Sequence, residues 1–441
     1  MSSWHDTDLS EHRADVPALT GVRAFAALWV MAYHTWLAAG RPAIGWPAAE
    51  FPWRIDPLLG AGWLGVDVFF VLSGFVLQWQ VEHERNAAHS PWRGATAYLR
   101  FVGRRVLRVF PAYLACLSIL LPLSWLGIGR WTAPSFADTA LHLVMTHNLV
   151  PAYVSTISGV FWSLPIEWHF YLVFPFGAWI LSHGRAWPLV VLALTATYLA
   201  HWLVIDRDMA WLMPWTVFRG IEFSSGMAAA SLAARSRDVR PARANAIFVA
   251  GAAALLTIAY VSGRFEIAWW TGDVLTFARM VALSLAIAAM LFAVAVPGSR
   301  RLGAAVFGTR AAVWTGAISY SLYLWHFAVI EFTVDHRLVP LRGDGSLGDF
   351  GRLTLAVWPA AFALSALSCF LVERAFLDRA RWQRRADHGA GWMRKPLAII
   401  VAWILALLAV AGAVSIAGPG TVDGRAGARA AARRTASARP P

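Results

Sequence analysis

Long runs of apolar residues, separated by short polar segments, dominate the pattern of this 441-residue chain. Each of eleven runs is long enough to cross a lipid bilayer as an α-helix, which takes about 20 residues. The runs lie at residues 17–39, 62–81, 107–127, 158–182, 187–205, 211–233, 244–262, 273–297, 312–333, 353–373 and 396–417. The pattern predicts an all-α protein, a polytopic transmembrane bundle of ten to eleven helices.

Charge alternates between the segments that connect these runs. The segments after the second, sixth, eighth and tenth runs are rich in arginine, and the intervening ones hold more acidic residues. Basic residues accumulate on the cytoplasmic side of membrane proteins, so we expect a multi-pass protein of the inner (plasma) membrane with a cytoplasmic N-terminus. An eleventh span would carry the last arginines outside. Either that run is held by the earlier helices or it does not cross.

The same pattern divides the chain into five parts. A cytoplasmic segment at 1–16 precedes a membrane domain at 17–378, followed by a basic cytoplasmic segment at 379–395, an additional transmembrane helix at 396–417 and a tail at 418–441. The tail is rich in Ala, Arg and Pro, which predicts disorder. The first run is too long for the core of a signal peptide, and we expect it to remain uncleaved.

Composition agrees with the membrane assignment, since 58% of the residues are hydrophobic and 14% are charged. The net charge of +13 comes from arginines beside the apolar runs; it orients a membrane protein and does not indicate a nucleic-acid partner. Cys116 and Cys369 lie inside apolar runs, so we expect no disulfide. The sequence contains no nucleotide-binding loop, metal-ligand cluster or nucleophile elbow, and no metal is predicted.

Two ionisable residues of the first run share one helix face. Arg23 and His34 are eleven positions apart, which places them on the same side of an α-helix, about 16 Å apart along its axis. Ionisable side chains inside a span are costly and often mark a site. In the alternative interpretation, Arg23 reaches the lipid headgroups and His34 is a hydrogen-bonding partner between helices.

The second and ninth runs also carry polar residues. Asp67 and Ser73 lie in the second, where glycines such as Gly74 permit close helix approach. In the ninth, Tyr323 and His326 belong to one polar stripe, and the topology places His326 at a depth comparable to that of His34 in the first. One buried histidine is usually structural. Two at one depth, with a carboxylate available, favour a site.

Glu167 interrupts the fourth run on one face with Ser163 and Tyr171. A carboxyl group at this depth must be paired, protonated or catalytic. A structural ion pair with Arg219 of the sixth run is the alternative to a chemical role.

A cluster of arginines precedes the third run. Arg104 and Arg108 are four positions apart, and Arg105 is next to them on the helix surface. Guanidinium groups bind phosphate through paired charge-assisted hydrogen bonds. The alternative is that they anchor the helix at lipid headgroups and supply the cytoplasmic positive charge.

Five segments of the chain resemble the signatures of the acyltransferase-3 family of integral membrane acyltransferases, and they occur in the family's order. They are Arg23 with His34, GVDVFFVLSGFVL at 65–77, RRVLRVFPAYL at 104–114, FWSLPIEWHFYLVFP at 161–175 and ISYSLYLWH at 318–326. The resemblance implies transfer of an acyl group, commonly acetyl, from cytoplasmic acyl-CoA to a hydroxyl group of a glycan, a lipid-linked sugar or a secondary metabolite.

The resemblance also suggests roles for the polar residues. The arginine cluster would bind the phosphates of acyl-CoA, and His34 would be the general base. Arg23, Tyr323 or His326 would stabilise the oxyanion, and Glu167 or Asp67 would orient the histidine or hold Arg23. A proton-coupled transporter is the competing hypothesis, because buried His, Glu and Arg also form proton relays. A membrane scaffold would leave the buried charges unexplained.

Overall fold

The computed structural model describes residues 16–45, 54–85, 95–128, 133–184, 186–207, 215–236, 239–265, 274–296, 301–377 and 393–417. Within these ranges the chain is helical, apart from turns and a single antiparallel bridge between Gly45 and Arg54. The predicted all-α class is confirmed for this part of the chain. The predicted segments at 1–16, 379–395 and 418–441 lie almost entirely outside the described residues.

The α-helices are numbered here in chain order. They are α1 (Pro17–Ala38), α2 (Asp56–Gly60), α3 (Gly65–Arg85), α4 (Ala95–Trp125), α5 (Phe136–Leu143), α6 (Ser163–Ser182), α7 (Trp187–Arg207), α8 (Gly220–Arg235), α9 (Pro241–Arg264), α10 (Val274–Ala295), α11 (Leu302–Phe307), α12 (Arg310–Ala317), α13 (Ser319–Asp335), α14 (Leu347–Ser368) and α15 (Arg394–Ala417). Each predicted apolar run corresponds to one of these helices or to a pair of them.

Several helices are long and apolar enough to cross a membrane. Among the described residues seven pass by length and composition, and the pair α12 and α13, bent by 70°, would make an eighth. The structure therefore supports a multi-pass membrane protein, and the finer count of ten to eleven spans stays a prediction. The helices that fall short, α1, α6, α8 and α13, contain the polar residues singled out in the sequence, and these residues lower their hydropathy.

Small residues let α3 and α8 pack with their backbones in contact. A Cβ atom added to Gly74 would lie 2.1 Å from the carbonyl oxygen of Phe223, and one added to Gly226 would lie 1.9 Å from that of Val71. No side chain fits at either position, because real Cβ atoms do not approach backbone atoms so closely. The close approach predicted from the glycines of the second run is confirmed.

Helix α6 begins inside the bundle. The hydroxyl of Ser163, its first residue, lies 2.6 Å from that of Tyr323 in α13. The preceding segment, with α5 and two short 3₁₀ turns, packs into the same hydrophobic core. The helix thus brings Glu167 to the cavity described below.

Helix α15 packs along α4. The indole nitrogen of Trp403 donates a hydrogen bond to Ser118 at 2.9 Å, and Met393 lies against Gly103. This contact supports the interpretation that the eleventh run is held by an earlier helix.

Candidate active site

A cavity lies between α1, α3, α4, α6 and α13 and contains about 750 Å³ of empty space. Both polar and aromatic side chains surround it. Its polar lining consists of Arg23, Ser73, Arg105, Arg108, Ser163, Glu167, Tyr171, Ser319, Tyr320 and Tyr323. The fold thus brings together residues from five helices, most of which the sequence had indicated separately.

One part of the cavity is cationic. Arg23, Arg105 and Arg108 all line it, whereas Arg104, one helical turn before Arg108, does not. The guanidinium of Arg105 lies 5.3 Å from the ring centroid of Phe101, and its buried Nε has no hydrogen-bond partner in the described structure. Arg23 makes no hydrogen bond or ion pair with any described residue. Two guanidinium groups therefore face the cavity without a paired carboxylate.

Arg108 differs because it has a carboxylate partner. Its Nη1 donates to Oε2 of Glu373 at 2.8 Å, and Glu373 is only 1% exposed. The other carboxylate oxygen accepts a hydrogen bond from Ser321. Sequence analysis missed Glu373, because an acid at the end of an apolar run beside Arg374 is typical of a surface position. The indication available was an acidic residue bordering an otherwise basic cytoplasmic segment.

Glu167 accepts two hydrogen bonds at the cavity wall. Oε1 lies 2.6 Å from Ser73 Oγ and 2.5 Å from the hydroxyl of Tyr171. The face shared by Glu167 and Tyr171 is thus as predicted. The alternative ion pair with Arg219 is not formed.

Arg219 pairs instead with two other carboxylates behind the cavity. Its Nη1 lies 2.7 Å from Asp67 and 2.7 Å from Glu222. Asp67 is therefore not positioned to hold Arg23 or to orient a histidine. The reason is helical periodicity: Asp67 and Ser73 are six positions apart, about 120° around α3, so only Ser73 faces the cavity.

His34 and His326 are in direct contact. Nδ1 of His34 lies 3.0 Å from Nε2 of His326, and Nδ1 of His326 lies 3.0 Å from the carbonyl oxygen of Leu322. A carbonyl only accepts, so His326 Nδ1 carries its proton and, in the neutral ring, Nε2 is an acceptor. His34 must then donate from Nδ1, and its Nε2 keeps a free lone pair. The contact between the two histidines was not predicted; the comparable depth was.

Tyr323 separates the histidine pair from the cavity. Its ring centroid lies 5.8 Å from that of His326, while its side chain lines the cavity. Its hydroxyl donates to the carbonyl of Val160 at 2.8 Å and so accepts from Ser163 at 2.6 Å. The two histidines are not among the lining residues. The predicted site residues therefore fall into an arginine-lined cavity and an adjacent histidine pair.

Metal ligands are not clustered here. In the part of the chain that the structure describes, no three or more His, Cys, Asp or Glu side chains are arranged to hold a metal ion.

Comparison with known proteins identifies the relatives of this chain. A family model described as an acyltransferase domain matches residues 16–374. The peptidoglycan O-acetyltransferase OatA of Listeria monocytogenes is 25% identical over 435 residues, covering 90% of this chain and 62% of the relative. The exopolysaccharide production protein ExoZ of Rhizobium meliloti is 26% identical over 345 residues, covering 75% and 94%. The O-acetyltransferase OatA of Staphylococcus aureus is 24% identical over 342 residues, covering 72% and 51%.

The chain thus spans less than two thirds of the length of the two OatA proteins. No solved structure matches it significantly. The matched residues 16–374 include the whole cavity, the histidine pair and Glu373. Because this match covers most of the sequence, the chain belongs to the acyltransferase-3 family.

Proposed function

We propose that this protein is an O-acyltransferase of the inner (plasma) membrane that moves an acyl group, with acetyl as the first candidate, from cytoplasmic acyl-CoA to a hydroxyl group. Its acceptor is a glycan, a lipid-linked sugar or a secondary metabolite. The observation that carries the proposal is a cavity with unpaired guanidinium groups beside a histidine with a free ring nitrogen. The relatives named for O-acetylation of peptidoglycan support the same chemistry.

The arginine-lined cavity suits the donor. Arg23 and Arg105 have no carboxylate partner among the described residues, so their guanidinium groups are available to phosphates. The rise along α1 from Arg23 to His34 is about 16 Å, a distance that an extended pantetheine arm can cover. The orientation follows from the arginine-rich connecting segments, which put the cationic end of the cavity toward the cytoplasm.

His34 supplies the base. Its Nε2 takes the proton of the acceptor hydroxyl while the hydroxyl oxygen attacks the thioester carbonyl carbon. When the tetrahedral intermediate collapses, the carbon–sulfur bond breaks and the CoA thiolate takes the proton back from His34. His326 accepts from Nδ1 of His34 at 3.0 Å and fixes the tautomer that leaves Nε2 free.

The candidates for the oxyanion donor differ in what they have available. The proton of Tyr323 is engaged by Val160 and that of His326 by Leu322. Arg23 has free donors, but three turns of α1 separate it from His34. We therefore propose that Arg23 binds the donor, and that Tyr323 stabilises the oxyanion only after it leaves the carbonyl of Val160.

Glu167 has a positioning role in this proposal. It holds Ser73 and Tyr171 at the wall that faces the arginines, and its negative charge offsets part of theirs. Its distance along the fold from the histidine pair argues against a direct role in proton transfer.

Calorimetry of CoA binding to detergent-solubilised protein tests the donor. Arg105→Ala and Arg108→Ala should each weaken CoA binding by at least about tenfold, because a charge-assisted hydrogen bond contributes roughly 1.5–3 kcal/mol. Lysine should restore only part of the affinity, since it lacks the planar fork that pairs with phosphate. Arg310→Ala removes an exposed arginine away from the cavity and is the matched control.

The outcomes separate the hypotheses. A folded wild type that does not bind CoA would contradict an acyl-CoA donor and favour the proton-coupled transporter. Equal affinity in all variants would mean that these arginines only anchor α4, and the donor site would have to lie elsewhere.

A further inference from the structure

We propose that Glu373 is an internal counter-anion of the donor site: it neutralises Arg108 while the cavity is empty and yields that guanidinium to the phosphates of an anionic donor. The inference rests on the proposed acyl-CoA donor. Glu373 does not line the cavity itself and acts only through Arg108, so it is a positioning residue rather than a catalytic one.

The contacts of Glu373 leave it no other partner of opposite charge among the described residues. Oε2 accepts from Arg108 at 2.8 Å, and Oε1 accepts from Ser321, whose hydroxyl is 3.1 Å from that of Ser368. Glu373 is 1% exposed, whereas the Arg108 side chain is 26% exposed and lines the cavity. The arginine therefore bridges a buried carboxylate on one side and open space on the other.

A local change of helix type places this carboxylate. After α14 the helix continues as a π turn over Cys369–Glu373. In a regular α-helix Ser368 and Glu373, five positions apart, would be separated by about 140° around the axis. The i to i+5 hydrogen bonds of a π turn bring them close to one face, and both contact Ser321. Single π turns of this kind occur frequently at functional sites.

Charge explains why the empty site needs the carboxylate. Arg23, Arg105 and Arg108 converge on one cavity, and Glu167 is the only carboxylate among the described lining residues. Like charges repel strongly in a poorly hydrated interior, so a second carboxylate behind Arg108 reduces the excess. A bound diphosphate takes over this task and competes with Glu373 for the same guanidinium, because carboxylate and phosphate oxygens accept the same hydrogen bonds.

Glu373→Gln is the decisive variant. It keeps the shape and a hydrogen-bonding carbonyl and removes the competing charge. CoA should then bind at least about fivefold more tightly than to wild type. Pantetheine, which lacks phosphates, should bind both proteins equally. In turnover with acetyl-CoA the donor KM should fall, and kcat should fall with it where release of CoA limits the rate.

Glu82→Gln is the matched control. Glu82 is also buried, contacts Ser231 and lies 3.4 Å from Arg235, away from the cavity. It should lose thermal stability without a change in CoA affinity. Glu373→Asp, which keeps the charge on a shorter side chain, should return CoA affinity toward that of wild type.

Several results would overturn the inference. Unchanged or weaker CoA binding by Glu373→Gln excludes a counter-anion, as does an equal change for CoA and pantetheine. If the single variant does not fold, Glu373→Gln is measured in an Arg108→Gln background, where the pair is removed together. There, a change in CoA affinity greater than about twofold relative to Arg108→Gln would show that Glu373 does not act through Arg108. Absence of CoA binding by the wild type would overturn the proposed donor as well, whereas wild-type binding with an unaffected variant overturns only this inference.

Discussion

Hydrogen-bond direction at single atoms determines what the two histidines can do. The carbonyl of Leu322 fixes the proton of His326 on Nδ1, and this fixes the tautomer of His34 in turn. The rings of Tyr33 and Phe327 lie 5.0 Å from that of His34 and shield it on two sides. A base is thus held by an uncharged partner, where many enzymes use a carboxylate.

We expect His34→Ala to lower acyl transfer by roughly 100-fold or more, because general-base catalysis contributes about 10²–10⁴. Expression and membrane insertion should stay near wild type. Turnover of the purified variant with acetyl-CoA and a hydroxyl acceptor is the measurement.

The control for this experiment is His169→Ala. His169 also lies in a helix of the bundle, but it contacts Thr216 and does not line the cavity. It should retain most of the activity. A His34 variant that keeps more than about 5% of wild-type turnover is not missing its general base.

Helix contacts at the next scale depend on where side chains are absent. Gly226 of α8 and Gly74 of α3 each face a backbone carbonyl of the other helix. This packing brings Ser73 and Asp67 of α3 to opposite tasks, one at the cavity and one at Arg219. A rigid α3 is therefore a condition for both clusters.

Gly226→Ala should lower the free energy of unfolding by about 1–3 kcal/mol or more, because the new Cβ would overlap the carbonyl oxygen of Val71, 1.9 Å away. Gly351→Ala in α14 is the control: a Cβ there meets nothing within 4 Å, and alanine should stabilise the helix slightly. Thermal unfolding in detergent compares the two. Equal melting temperatures would contradict the close packing of α3 and α8.

At the scale of the whole molecule, apolar helices surround the polar ones. Helices α9, α14 and α15 are only 28%, 28% and 11% buried over their most apolar stretches, whereas α3 is 83% buried. The outer helices present apolar side chains outward, and the inner ones carry the ion pairs and the cavity. This arrangement is the one expected in lipid, where charged groups face the interior of a bundle.

Orientation of this bundle can be tested by cysteine labelling after Cys116 and Cys369 are replaced by alanine. Arg240→Cys and Asp344→Cys introduce thiols at exposed positions of two connecting segments. We expect a membrane-impermeant reagent to label the first only from the cytoplasm and the second only from outside. Labelling of both from one side, or the reverse pattern, would exclude a cytoplasmic donor site in this cavity.

The sequence by itself determined the helical class, the positions of the apolar runs and the candidate residues Arg23, His34, Glu167 and His326. Each of these follows from local periodicity, because a polar residue within an apolar run is visible without any knowledge of its neighbours. The glycines of α3 likewise indicated close packing before the partner helix was known.

Only the tertiary structure decided which polar groups meet. Arg219 chose Asp67 over Glu167, His34 found His326 across 292 positions, and Glu373 reached Arg108 across 265. Such pairings depend on how helices are rotated and shifted against each other, which periodicity along one helix does not encode. The π turn that directs Glu373 inward is the clearest case, since regular helical spacing would have turned that carboxylate away from Ser321.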